Sequence, residues 1–97
     1  MAEYLVELYV SREDRGAVDG SAARCRAAAK ALTQEGSPAR YVRSIFVPED
    51  ETCFFLLEAD SADAVREVMR RAGLESERVA EAVGTRKGDG ACLCTGG

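Results

Sequence analysis

The sequence contains no histidine. That absence removes the usual imidazole metal ligand and the usual general base together. Any metal site must then use carboxylates, thiols, backbone oxygens or water, and any catalysis must use carboxylate, tyrosine, cysteine or lysine. No stretch reaches the roughly 20 consecutive apolar residues that a membrane-spanning helix needs, so no membrane partner is expected. Met1-Ala2-Glu3-Tyr4 places no basic region ahead of its apolar residues. It is unlike a secretory leader, and the protein is expected to be cytoplasmic. There is no G-x-G-x-x-G, no phosphate loop and no serine nucleophile elbow. Bases are outnumbered, 13 against 17 acids, for a net charge of -4. That balance disfavours nucleic acid as a partner and is compatible with metal cations.

Cysteine is present but not in a zinc or thioredoxin pattern. The four are Cys25, Cys53, Cys92 and Cys94, and Cys92-Leu93-Cys94 has one residue between its thiols where C-x-x-C needs two. In a cytosolic setting they are expected to be reduced. Cys25 and Cys53 read as small core residues. Cys92 and Cys94 read as free thiols, or as chelators of a soft metal if the tail folds back.

What is present describes one small domain. The chain has 97 residues, 46% hydrophobic and 31% charged, ordinary for a globular protein. EYLVELYV (3–10) alternates with period two and predicts a strand. SAARCRAAAKALTQE predicts a helix from about Ser21 to Glu35, with Cys25, Ala28, Ala29 and Leu32 as its buried stripe. Asp19 or Ser21 suits its start and Gly36 its stop. RYVRSIFV (40–47) and TCFFLLEA (52–59) predict two strands joined by the tight turn PEDE, hence an antiparallel hairpin. Asp60 or Ser61 caps a second helix with Val65, Val68, Met69 and Ala72 in its stripe, and Gly73 ends it. ERVAEAV (77–83) predicts the fourth strand. The order βαββαβ predicts an α+β, ferredoxin-like fold with an antiparallel sheet and both helices on one face. The domain is expected over residues 1–84, with a flexible Gly/Cys tail over 85–97.

Period two also divides the sheet residues between faces. Tyr4, Val6, Leu8 and Val10, with Cys53, Phe55 and Leu57, are expected beneath the helices. The other face is expected to carry Leu5, Glu7, Tyr9, Tyr41, Arg43, Phe54, Leu56 and Glu58. So apolar a patch predicts an interface, and a homodimer with sheets facing each other as in a dimeric α+β barrel is expected. Glu7, Tyr41, Arg43 and Glu58 form one candidate ligand-binding set there, readable also as charge-balanced interface pairs. A second candidate is the acid cluster Glu49, Asp50 and Glu51, readable either as a solvated turn or as oxygen ligands for a hard divalent cation.

VELYV, RYVRSIFVPEDETCF and EADSADAVREVMRRAGLESERVAEAV resemble a family of small ferredoxin-like proteins from high-GC, actinobacterial-type bacteria whose best described member binds nickel. The resemblance runs over about residues 2 to 84 and is most specific on the hairpin and the second helix. It implies a homodimer that binds nickel at its surface, for sequestration or detoxification rather than turnover. Glu49, Asp50 and Glu51 lie within the matching stretch and are the first candidates for nickel. The alternative expectation is a small-molecule-binding protein, or a cofactor-free enzyme, with Glu7 or Glu58 as base and Tyr41 and Arg43 orienting an oxyanion. Binding of another protein is the third.

Overall fold

The computed structural model describes residues 1–83; the expected tail with Cys92 and Cys94 lies outside the described residues. The elements follow as β1 (Ala2–Tyr9), α1 (Gly16–Gln34), β2 (Ala39–Val47), β3 (Thr52–Ala59), α2 (Ala62–Arg71) and β4 (Arg78–Ala82). The strands form one sheet in the order β2-β3-β1-β4, with every neighbouring pair antiparallel. This is the expected ferredoxin-like arrangement. Alternation does what it predicts in the two central strands: Tyr4, Val6 and Leu8 of β1 and Cys53, Phe55, Leu57 and Ala59 of β3 are buried beneath the helices.

The helices meet that face with side chains of different size. From α2 come Val65, Val68 and Met69; from α1 come Ser21, Ala22, Cys25, Ala28, Ala29 and Leu32. The small residues of α1 let its backbone lie close to the sheet. Helix α1 begins at Gly16, one and a half turns earlier than the expected Ser21. Gly16 and Gly20 oppose helix by about 1 kcal/mol each relative to alanine, which hides the start from propensity. Burial decides instead, because Val18, Ala22 and Cys25 continue the same stripe toward the N-terminus. Neither expected cap serves as one. Asp19 sits in the first turn, where its charge favours the helix dipole, and Ser21 is buried inside the helix.

The other helix ends follow sequence closely. The Ser61 side chain accepts the Ala64 N–H at 3.2 Å and caps α2. Gly36 (φ 104°) and Gly73 (φ 71°) each take the left-handed position after a helix. In both, the next residue reaches back: Ser37 N–H to the Leu32 carbonyl and Leu74 N–H to the Met69 carbonyl.

Two polar devices join the layers. The Thr33 hydroxyl donates to the Ala39 carbonyl at 2.8 Å and accepts the Ala39 N–H at 3.0 Å, fastening the end of α1 to the start of β2. Arg71 grips Glu35 with two nitrogens, at 2.7 and 2.8 Å, and Glu67 with its Nε at 2.7 Å, tying the last turns of α1 and α2 together. Hydrogen bonds from Arg70 and then Arg71 hold the Glu67 carboxyl down at about 2. The hydrogen bond from Arg71 likewise lowers Glu35.

Replacing Thr33 by Val keeps the shape and removes both bonds; we expect a loss of about 1–3 kcal/mol in urea unfolding. Because Glu67 is more acidic folded than its ordinary 4.5, its contribution is complete above that value. It is lost as pH falls from about 4.5 toward 2. Thermal melts across that range should fall more steeply for the parent protein than for Glu67→Gln.

Candidate functional site

The acid-rich turn is held from one of its own acids. After the 3₁₀ turn Pro48–Asp50, Glu51 adopts φ 50°, ψ 41°, a left-handed conformation that costs a non-glycine residue about 1 kcal/mol. Its groups are well engaged in compensation. The Glu51 N–H donates to the Pro48 carbonyl, and its carbonyl accepts the Val10 N–H at 3.0 Å. Its carboxylate accepts the Arg12 N–H at 3.0 Å and lies 3.7 Å from the Arg12 Nε. Glu51 thus fastens the hairpin tip to the chain leaving β1, while Glu49 and Asp50 are exposed. The structure therefore separates the three acids into one anchor and two exposed carboxylates. Among the described residues no three cysteine or carboxylate side chains are grouped so as to hold a metal ion. The two described thiols are also poor candidates. Burial pushes Cys25 up to about 12 against the opposing charge of Arg26, and burial raises Cys53 as well. Both are neutral thiols at physiological pH, whereas a metal takes the thiolate.

The open face of the sheet carries most, but not all, of the residues expected there. Strand register places Glu3 and Glu58 side by side, then Leu5, Leu56, Arg43 and Ala80, then Glu7, Phe54, Ile45 and Arg78. Glu58 is engaged by Arg40, whose Nε and Nη2 lie 2.9 and 2.8 Å from its Oε1. Arg43 and Glu7 stand in successive rows on β2 and β1 with β3 between them, so they are not partners. Tyr41 is not on this face. The pairing advances two residues on β2, Tyr41 to Arg43, for one on β3, Leu57 to Leu56, so Val42 is an extra residue in the ladder. Such a bulge shifts the side-chain alternation by one. Tyr41 consequently lies on the helix side, edge-on to Phe55 at 5.7 Å between ring centroids and beneath the Arg26 guanidinium at 5.0 Å. The expected set of Glu7, Tyr41, Arg43 and Glu58 is not assembled. Leu5, Phe54, Leu56 and the 44% exposed Ile45 remain as an apolar band framed by charge.

Sequence reasoning missed a cavity of about 550 Å³ on the helix side. Its floor is made by Leu8, Phe55 and Cys53, one wall by the first turns of α1, and the other by the segment 73–77 between α2 and β4. The cavity exists because α2 is only ten residues long, about 15 Å, against an eight-residue β1 of about 27 Å. The one legible signal was the glycine at 73, which stops α2 early.

Comparison with known proteins places this geometry. A family model described as nickel responsive protein, SCO4226-like, matches residues 6–82. The crystal structure of SCO4226 from Streptomyces coelicolor A3(2) superposes with a TM-score of 0.74 at 19% identity, covering 88% of this chain and all of that one. At that identity the likeness concerns the fold. Among curated protein sequences none matches.

Because Cys25 and Cys53 are buried and protonated, we expect brief alkylation with peptide mapping to leave both unmodified in the folded protein. Their labelling should be on the order of 100-fold slower than in urea, since only opening of the core exposes them.

Proposed function

The chain belongs to the SCO4226-like family of nickel responsive proteins, and from that premise we propose that it is a homodimeric divalent-metal-binding protein that takes up nickel for sequestration or detoxification. The single observation that carries this reading is the family match, which includes the acid-bearing hairpin. Nickel accepts carboxylate oxygen with water filling an octahedron. Glu49 and Asp50 offer exposed carboxylates side by side on a turn whose backbone is fixed by Glu51. With few protein ligands, such binding is weak and readily reversed, which suits a cargo ion. The apolar band of Leu5, Phe54 and Leu56 on the open sheet face supports pairing of two copies through that face, in the manner of a dimeric α+β barrel. A cytoplasmic location fits the same role.

Calorimetric titration of the full chain with nickel tests the metal reading. We expect saturable binding that weakens about tenfold or more, about 1.4 kcal/mol, in Glu49→Ala/Asp50→Ala. Glu51→Ala should weaken binding and lower the melting temperature together, because the hairpin anchor is lost. No saturable heat with the parent chain would overturn the nickel reading. Sedimentation of Leu56→Glu tests the assembly: a dimeric parent and a monomeric variant are expected, and a monomeric parent would refute the dimer.

A further inference from the structure

The helix-side cavity has no part in the metal reading, and its lining is chemically one-sided. Leu8, Val10, Val18, Phe55 and Leu74 supply an apolar interior, and three acids, Asp14, Glu75 and Glu77, stand in its lining. Among the described residues that line the cavity there is no lysine or arginine, and their formal charge is -3. The acids come from two different segments, the approach to α1 and the 73–77 loop, so a carboxylate stands on either side of the cavity. At about 550 Å³ the space falls within the range of small-molecule sites, about 300–1,000 Å³.

The walls are also fixed in place. The Asp14 N–H donates to the Ser11 carbonyl at 2.9 Å, and the Ala17 N–H donates to the Asp14 carbonyl at 3.0 Å. Across the cavity, the Leu74 N–H is bound to the Met69 carbonyl, and the Glu77 N–H donates to the Glu7 carbonyl at 2.7 Å. These bonds hold both rims of the cavity open without a ligand, which lowers the ordering cost of binding. At the α1 wall the Ser21 hydroxyl accepts a hydrogen bond from the Arg24 guanidinium at 3.4 Å, so one cation borders the lining there.

We propose that this cavity binds a small organic cation, an ammonium group carried on an aromatic or branched aliphatic body. The body occupies the apolar interior and the ammonium lies toward Asp14, Glu75 and Glu77. An anion of the same shape is repelled by those three carboxylates, and a neutral analogue loses the charge attraction while keeping the burial. This reading is independent of nickel binding at the hairpin, which lies on a different set of side chains.

The test is titration of the full, isotopically labelled chain followed by amide NMR shifts, using tryptamine, the neutral tryptophol and the anionic indole-3-acetate. Expected is a saturable shift pattern confined to residues 8–11, 14–21 and 73–77. Tryptamine should bind about tenfold more tightly than tryptophol, about 1.4 kcal/mol, and indole-3-acetate least of all. The preference for tryptamine should shrink as salt is raised. Asp14→Asn/Glu75→Gln/Glu77→Gln alters exposed positions and should equalise tryptamine and tryptophol without disturbing the fold. Ala17→Trp should fill the space and weaken all three. Shifts scattered over the surface, no saturation at millimolar probe, or equal binding of the three probes by the parent chain would each overturn the proposal.

Discussion

Four strands must hide one face behind two helices of unequal length, and the rest of the molecule follows from that mismatch. Helix α1 runs for 19 residues and α2 for ten. The long helix meets the sheet mostly with alanine, serine and cysteine, and with Leu32 near its end. The short helix compensates by presenting valine and methionine. Where α2 stops, Leu74 covers only part of the sheet, and Leu8, Cys53 and Phe55 form the floor of a cavity. The polar links fall where the helices end rather than along their length: Thr33 to Ala39 at one junction and Arg71 to Glu35 and Glu67 at another.

Much of this was legible in the sequence, and the parts that were not have definite physical causes. Period two named the buried residues of β1 and β3, period 3.6 named the stripes of both helices, and two glycines named their ends. Each signal is local and repeats over several residues. The start of α1 was hidden because glycine propensity argued against helix while burial of Val18 and Ala22 argued for it, and burial prevailed. Tyr41 was misplaced because alternation assumes an unbroken ladder, and one extra residue at Val42 reverses every side chain before it. No composition signal marks such a bulge. The cavity was invisible for another reason, since it is made by elements that meet only in the folded chain.

The candidate metal site shows the same limit from another side. Counting acids makes Glu49, Asp50 and Glu51 equivalent, and the sequence cannot tell an anchor from a ligand. In the fold, Glu51 turns to the Arg12 amide and spends its carboxylate on holding the turn. Three acids adjacent in sequence are thus one anchor and two exposed side chains in the fold. Glu58, also an acid beside the same strand, is balanced by Arg40. Family membership and geometry therefore bear on different questions: the first speaks for nickel responsiveness, the second limits how many described side chains one ion can reach.

The irregularity at Val42 has a consequence beyond the placement of one tyrosine. Strand β2 forms an outer margin of the sheet, and at nine residues it is the longest strand. An uninterrupted margin of that length offers a row of unpaired amides on which a stray chain can polymerise. The extra residue breaks the spacing of that row, Arg40 and Arg43 charge the strand on either side of the break, and Pro48 follows at its end. The opposite margin, β4, is five residues long and too short to template much. A fault in register on β2 is therefore also a device against edge-to-edge pairing at the sheet's longest margin.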